Sequence, residues 1–380
     1  MNGFSAERIE KTRSMDTGLI AVLVLLVTVG VSMLFSSSYF RADSLFGDPL
    51  YFFRRQSLWV LLGAGAAVIA SRISLSFLQK QMPLVLAGTL ALMLLTFVPG
   101  IGTEFLGARR WIFIFGYSFQ PSELVKLSVV LYLAFILSRK QDQMDDPVNA
   151  ILPPIIVVVV FASLIYLQND FSTAFFVVFV ALGMFFVASV PIRYFIGLGV
   201  MTLPLGVILL LSREHRVKRL LSFLEPGWDP SGTGYQVLAS KAALRGGGLW
   251  GEGIGQSVQK IGRLPEAHSD FVFAVVGEEV GFAGVVLIFA LFVMFACRGY
   301  LVAWESRDRF VSLLAFGLTS TIFLQALLNL AVVSGLVPAT GVPLPFFSSG
   351  GSSAFMTLVM CGLLVNASRY AGRTGGDGNG

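Results

Sequence analysis

The sequence predicts an all-α polytopic membrane protein of about ten transmembrane helices, with a large extracytoplasmic loop between helices 7 and 8. Its 380 residues are 55% hydrophobic and only 13% charged, and the mean hydropathy is +0.79. A soluble protein carries about 25% charged residues, and one transmembrane helix needs roughly 20 apolar residues. The net charge of +5 is not gathered into a basic face, which argues against a nucleic-acid partner.

Ten apolar stretches are the predicted helices. They cover residues 17–38, 57–73, 82–98, 121–138, 149–167, 170–190, 194–212, 270–297, 310–334 and 350–367. The first is too long for a signal-peptide core, so we interpret it as a retained anchor. The transmembrane domain is then 17–367, with tails at 1–16 and 368–380 and the large loop at 213–269.

The distribution of Lys and Arg orients these helices. An even number of spans places both termini on one side, and most basic residues of the short connections lie on that side. By the positive-inside rule, both termini are predicted to be cytoplasmic. The loop 213–269 then faces outward, where ATP is absent, so any synthesis there needs an already activated substrate.

Acidic residues near the start of the eighth predicted helix are the first candidates for chemistry. Asp270 begins that helix and follows Glu266 and His268. Because carboxylates are costly at a membrane boundary, they call for an explanation. Asp270 can serve as a general base for a sugar hydroxyl, or it and Ser269 can cap the helix. Two distant histidines, His215 and His268, do not support a zinc site.

Glu123 and Lys126 are the second candidates. Their i,i+3 spacing places them on one face of the fourth predicted helix, where they can pair. Each charge at membrane depth costs about 2.5–3.5 kcal/mol on insertion scales. One interpretation is a structural ion pair; the other is a polar cavity in which Lys126 attracts a phosphate.

Two further groups lie in predicted outer segments. Arg109, Arg110 and Trp111 suit a diphosphate and a sugar, or else form an interfacial anchor. A serine–glycine segment before the last helix is predicted either as an anion site at a helix N-terminus or as a re-entrant turn. Its candidate residues are Ser348, Ser349, Gly350, Gly351 and Ser352.

The four groups share the outer side of the predicted topology. A base, cations, an aromatic ring and an anion site together suit a lipid diphosphate that carries a sugar. The G-x-G-x-x-G pattern at 246–251 has no preceding strand, so we interpret it as a flexible, close-packed loop rather than a dinucleotide site.

Long motifs in these segments resemble the SEDS family, named for shape, elongation, division and sporulation. The resemblance covers about residues 15–370. Its motifs are GARRWI, QPSELVKL, GTGYQ, GGGLWGEGIGQS, RLPEAHSDFVFAVVGEEVGF and GVPLPFFSSGGSS. LPEAHSDF and the TGYQ context are closer to the division branch than to the elongation branch. One departure is Asn169 and Ser172, where many relatives carry proline and glycine in Pro-Asp-x-Gly-Thr.

The resemblance implies a peptidoglycan glycosyltransferase that polymerises lipid II outside the cytoplasmic membrane. It implies a class B penicillin-binding protein and other division or elongation proteins as partners. The family's essential aspartate falls on Asp270, and its Glu–Lys pair falls on Glu123 and Lys126. The loop arginine and tryptophan fall on 109–111.

A metal and two rival functions complete the expectations. Oxygen ligands without a histidine cluster favour Mg²⁺ or Mn²⁺, and no organic cofactor is expected. A lipid II flippase is one alternative, although no inverted repeat supports it. The other is a scaffold that recruits a penicillin-binding protein without catalysis.

Overall fold

The computed structural model describes residues 14–105, 108–114, 116–225, 227, 232–260 and 269–371. Within these ranges the chain is predominantly helical, as predicted. The helices are α1 (Thr17–Phe46), α2 (Tyr51–Ala70), α3 (Leu75–Lys80), α4 (Met82–Leu95), α5 (Pro121–Arg139), α6 (Leu152–Leu167), α7 (Phe171–Val187), α8 (Ile192–Leu211), α9 (Glu214–Leu224), α10 (Thr233–Gly246), α11 (Val272–Glu305), α12 (Arg309–Val333) and α13 (Gly351–Ala367).

Every one of the ten predicted apolar stretches forms a helix. Seven helical segments of the described chain are long and apolar enough to cross a membrane by themselves. The apolar helices α4 and α7 are shorter, and α2 has 20 residues with two arginines near its start. The chain is therefore a polytopic all-α membrane protein, while the count of ten spans stays a prediction.

A small sheet between α4 and α5 is absent from the sequence prediction. It contains β1 (Gly102–Phe105), β2 (Ala108–Ile114) and β3 (Tyr117–Phe119), which pair antiparallel in that order. Ile112 faces Gly102 in β1 and Phe119 in β3. The sheet fixes the direction of the side chains in the GARRWI motif.

Burial distinguishes the interior helices from the peripheral ones. In α5 and α13, most of the apolar span is buried, so these helices form the centre of the bundle. The span of α8 has no buried residue, and Val200, Leu203 and Val207 are exposed along it. We infer that α8 lies against lipid, since an apolar surface of that length is not left in water.

The large loop contains two helices, α9 and α10. Helix α10 lies within the part of the loop that follows residue 232. The candidate residues Glu266 and His268 lie outside the described residues.

Helix α11 is broken at Gly281, whose φ is 65° and ψ is −172°. Such a break frees backbone groups that a membrane cannot satisfy. The glycine-rich segment supplies their partners: Glu252 N donates to Glu278 O (3.0 Å), and Phe282 N donates to Gly248 O (2.9 Å). A Cβ at Gly251 would lie 2.2 Å from a backbone oxygen of α11. Gly251 therefore serves the predicted close packing, whereas Gly248 faces open space.

The two ends of the described chain lie together. The Asp16 backbone N–H donates to Ser368 Oγ (3.1 Å), and Arg298 Nη1 lies 3.7 Å from the Asp16 carboxylate. These contacts involve the start of α1, the latter part of α11 and the end of α13. The starts of α11 and α13 lie at the other end of the bundle.

Candidate functional site

The backbone around Asp270 is held from two directions. Asn329 Nδ2, in the last turns of α12, donates to the Asp270 carbonyl oxygen and to Val342 O, both at 2.9 Å. Ser348 Oγ donates to the Ser269 carbonyl oxygen at 2.6 Å. The start of α11, the end of α12 and the segment before α13 therefore meet at Asp270.

A cavity opens at this meeting point. Its lining residues are Arg219, Gln236, Asp270, Phe271, Asn329, Val332, Ala339, Thr340, Gly341 and Val342. Asn329 Oδ1 and Thr340 Oγ1 have no hydrogen-bond partner among the described residues. An open polar cavity with spare acceptors beside a carboxylate is suited to binding hydroxyl groups.

Gly341 brings the opposite wall of the cavity close to the carboxylate. Its φ is +74°, and a Cβ there would lie 3.4 Å from Asp270 Oδ2. A larger residue would be strained by this backbone conformation and would reduce the space beside Asp270.

The Glu123–Lys126 pair is buried and connected to the same region. Lys126 Nζ lies 2.7 Å from Glu123 Oε2 and donates to Gln325 Oε1, also at 2.7 Å. Gln325 Nε2 then donates to Pro343 O at 2.9 Å. Gln325 and Asn329 are four residues apart on α12, so they form one polar row from the ion pair to Asp270.

Sequence reasoning did not select Gln325 or Asn329. The signal was available: two amide side chains at i,i+4 spacing inside an apolar predicted helix. Polar side chains within membrane helices usually face the bundle interior and find partners there.

The three residues of the GARRWI motif have different surroundings, and a β-bulge against β1 leaves Arg110 unpaired between Arg109 and Trp111. Arg109 Nε donates to Glu104 Oε2 at 2.8 Å, and both side chains are about half exposed. Arg110 Nη1 lies 3.3 Å from Asp170 Oδ2. Trp111 is half-buried, with the Arg110 guanidinium 6.0 Å from its ring. Only Arg110 joins the charges near the cavity.

Asp170 is the N-cap of α7 and accepts a hydrogen bond from Thr173 N at 3.1 Å. Gln120 Nε2 also donates to its carboxylate, at 3.2 Å. The preceding Asn169 has φ 63°, a value that proline cannot adopt. The departure at residue 169 therefore gives this chain its own turn, and the aspartate cap remains.

The serine–glycine segment forms a packed turn between α12 and α13. Ser348 Oγ accepts from Leu344 N at 2.8 Å, and Gln56 Nε2 donates to Ser348 O at 3.2 Å. A Cβ at Gly351 would lie 2.1 Å from the Trp59 ring. Ser352 is buried, while Ser349 and Gly350 are partly exposed. These contacts favour the turn interpretation for Ser348 and Gly351.

The two glutamates within α11 are fully engaged. Glu278 accepts hydrogen bonds from Ser257 Oγ, Val258 N and Gln259 N. Glu279 forms a 2.6 Å ion pair with Lys260, and both side chains are almost completely buried. Together they fix residues 257–260, which precede the segment that leads to Asp270.

Arg219, on α9, lines the cavity but is not among the candidates taken from the sequence. Burial lowers the pKa of its guanidinium, and the nearby charges of Arg110 and Arg216 lower it further. Asp270 and Asp170 act in the opposite direction. Arg219 is thus electrostatically coupled to both aspartates.

A metal site receives no support from the described side chains. No group of three or more His, Cys, Asp and Glu residues there is placed to hold an ion. The expectation of Mg²⁺ or Mn²⁺ stays a prediction, and no step below depends on either ion.

Comparisons with known proteins agree with this architecture. The cell cycle protein family of FtsW, RodA and SpoVE matches residues 16–373. The chain is 40% identical over 357 residues to a Borreliella burgdorferi protein named probable peptidoglycan glycosyltransferase FtsW, covering 94% of this chain and 97% of the relative. It is 38% identical over 361 residues to stage V sporulation protein E of Bacillus subtilis, covering 95% and 99%.

Two solved structures are similar to the whole chain. A peptidoglycan synthase complex, described as coordinating polymerization and crosslinking, matches with a TM-score of 0.77 and 28% identity, covering 93% of this chain and 98% of that chain. The rod shape determining protein RodA of Thermus thermophilus matches with a TM-score of 0.69 and 26% identity, covering 94% and 98%.

Proposed function

Because the chain belongs to the FtsW, RodA and SpoVE family of cell cycle proteins, we propose that it is a peptidoglycan glycosyltransferase. It polymerises lipid II into β-1,4-linked glycan strands, in the service of septal wall synthesis during cell division. The observation that carries the proposal is a carboxylate, Asp270, in a polar cavity where three membrane helices meet.

Asp270 acts as the general base in this reaction. Its carboxylate takes the proton from the 4-hydroxyl of an acceptor GlcNAc, and the oxygen attacks the anomeric carbon of a donor MurNAc. The bond from that carbon to the α-linked undecaprenyl diphosphate breaks, and the diphosphate leaves with the bonding electrons. A single displacement inverts the centre and yields the β bond; the proton on Asp270 then passes to solvent.

The cavity supplies positioning for this step. Asn329 and Ser348 fix the backbone at 269–270, so the carboxylate cannot drift far from the acceptor. The unpartnered oxygens of Asn329 and Thr340 can bind other sugar hydroxyls. Holding both reactants in the attacking geometry converts a bimolecular reaction into an effectively unimolecular one.

The site faces the outside of the bacterial inner membrane in this proposal, and both termini are cytoplasmic. Lipid II is suited to that side, since its diphosphate linkage already stores the energy for bond formation. The partner is a class B penicillin-binding protein that crosslinks the strands, as polymerization and crosslinking are coordinated in the similar synthase complex. Other division proteins complete the assembly.

Purified protein and partner, incubated with labelled lipid II in liposomes, test the function. Glycan polymer made by the wild type and not by Asp270→Asn supports the enzyme. Lipid II movement across the bilayer without polymer would identify a flippase, and neither activity would identify a scaffold. A buried ion pair inside the membrane suits a translocation path, but Lys126 and Glu123 are held by Gln325 in a fixed network.

A further inference from the structure

The cavity wall that faces Asp270 has no secondary structure of its own. Residues 338–344 follow α12 and belong to neither a helix nor a strand. Within the described chain, no backbone group of 338–343 bonds to another backbone group. Pro338 and Pro343 cannot donate a backbone hydrogen bond at all. The position of this wall therefore depends on side chains from neighbouring elements.

Two amide side chains of α12 hold the wall. Gln325 Nε2 donates to Pro343 O, and Asn329 Nδ2 donates to Val342 O, both at 2.9 Å. Each amide residue is 1% exposed, and hydrogen bonds are stronger away from bulk water. The adjacent Gly341 then approaches the proposed base, since a Cβ there would lie 3.4 Å from its carboxylate. Bonds made by α12 thus set the distance between the wall and the base.

Lys126 determines which way the Gln325 amide points. Lys126 Nζ donates to Gln325 Oε1 at 2.7 Å. An ammonium group is a donor only, so it faces the amide oxygen and not the amide NH₂. The NH₂ group is thereby directed at Pro343 O. Without the ammonium group, the amide would be free to turn its oxygen toward that carbonyl, and the two acceptors would repel.

Glu123 holds the lysine in turn. Lys126 Nζ lies 2.7 Å from Glu123 Oε2, and both side chains are almost completely buried. Charges at membrane depth are costly, and a buried ion pair is a poor source of net stability. The carboxylate already neutralises the lysine, so a phosphate would have to displace it. A role in fixing geometry explains why the pair is kept.

We propose that Gln325 is a positioning residue of the transferase site, and that the Glu123–Lys126 pair fixes the orientation of its amide. Gln325 holds residues 341–343 at a set distance from the Asp270 carboxylate, so that an acceptor hydroxyl lies in the attacking geometry. The inference rests on the proposed function and assigns the ion pair to geometry rather than to phosphate binding. A misplacement of about 1 Å from a remote group lowers a rate by about 10²-fold.

Gln325→Met in the full-length protein tests the inference, because methionine has a similar length and no amide. With the penicillin-binding partner and lipid II in liposomes, kcat for polymerisation should fall about 10²-fold, while KM should change less than about threefold. A residue with a purely structural role would lower the thermal midpoint and leave the kcat of the folded enzyme unchanged.

Thiol labelling follows the wall without any need for activity. Val342 is 5% exposed, and Val342→Cys places a thiol there after Cys297 and Cys361 are replaced by alanine. A methanethiosulfonate reagent should modify this thiol slowly in the parent and about tenfold faster once Gln325→Met is added, because local opening becomes less costly.

Thr321→Val is the matched control. Thr321 is buried one turn before Gln325 on α12, and its hydroxyl donates to Gly317 O of its own helix at 2.8 Å. Valine has the same shape, and a hydroxyl bonded within its own helix adds little stability. Both kcat and the labelling rate should stay within about twofold of their parents.

The ion pair is tested by Glu123→Gln combined with Lys126→Met, which leaves no unpaired buried charge. This variant should reproduce the kcat loss and the faster labelling of Gln325→Met. Adding Gln325→Met to it should lower kcat by no more than about twofold further, because residues that act through one another are not additive. Fully additive losses, with a KM raised only by the ion-pair variant, would assign Lys126 to phosphate and overturn the inference.

The remaining outcomes also decide. If Gln325→Met does not fold, Gln325→Glu keeps an acceptor for Lys126 and loses the donor to Pro343 O, and it should show the same two changes. Wild-type kcat or wild-type labelling in the folded Gln325 variants would overturn the inference. A wild type that makes no polymer would refute the proposed function, while the labelling rates would still show whether Gln325 holds the wall.

Discussion

Asp270 and Glu279 come from one short stretch of sequence, but they occupy different environments. Glu279 is buried against Lys260 and accepts a hydrogen bond from Ser36 Oγ, which lies 2.7 Å from both carboxylate oxygens. Asp270 lies partly exposed in a cavity whose Asn329 and Thr340 oxygens lack partners in the described chain. Glu279 is held by buried protein groups and contributes to the fold, whereas Asp270 lines a polar cavity, where the proposed function places it beside substrate. The variants below test this difference between the two carboxylates.

The largest expected effect is the loss of catalysis in Asp270→Asn. General-base catalysis contributes about 10²–10⁴-fold, so polymerisation of lipid II should fall by at least that range. The amide is nearly isosteric, so the thermal midpoint in detergent should change little. Asp270 is not the base if this variant polymerises at the wild-type rate.

Lys260→Met should lower the free energy of unfolding. It leaves Glu279 buried without its cation, and breaking a buried pair costs about 3–5 kcal/mol. The thermal midpoint should fall sharply, and the double variant Lys260→Met with Glu279→Gln should recover much of it. A midpoint equal to wild type in Lys260→Met would show that the pair is not needed for the fold.

Two alanine substitutions in the glycine-rich segment form a matched pair, and their expected effect on stability is smaller. Gly251 and Gly255 have φ values of +81° and +88°, so alanine meets similar backbone strain at both. A Cβ at Gly251 would lie 2.2 Å from Glu279 O, whereas Gly255 faces open space. Gly251→Ala should destabilise the protein by about 1–3 kcal/mol more than Gly255→Ala. Equal melting shifts would show that docking at the α11 break tolerates a side chain.

Arg109→Ala should have the smallest effect. Its pair with Glu104 is about half exposed, and such pairs contribute about 0–1 kcal/mol. Polymerisation and thermal midpoint should both stay close to wild type. A large fall in polymerisation would instead indicate that Arg109 binds the diphosphate of the donor, as the sequence suggested.

The positions of the membrane helices could be predicted because each is a long apolar run. The small sheet at 102–119 could not, since its strands are short and carry no clear alternation. The break at Gly281 was also missed, because one glycine within a long apolar run does not reveal a change of backbone conformation. The segment 248–253, which forms hydrogen bonds with the broken part of α11, lies too far away in the sequence for this contact to be predicted.

Candidate residues were predictable when their own chemistry was conspicuous. Asp270, Glu123 and Lys126 stood out as charges at or near apolar segments, and the structure links all three through α12. Their roles remain predictions. The environments of Arg216 and Arg219 depend on residues distant in the chain, so the sequence did not single out either arginine.

The sequence alone determined the class of protein, the helix positions and the acidic residue on which the proposal depends. Hydrophobicity acts locally and leaves a readable trace over each span. Only the tertiary structure decided which charged side chains have partners for their hydrogen-bonding groups. Lys126 is paired with Glu123, whereas two nitrogens of Arg216 have no hydrogen-bond partner among the described residues. Saturation is a property of the three-dimensional surroundings, because a buried charge is satisfied by whichever groups the fold brings within hydrogen-bond distance.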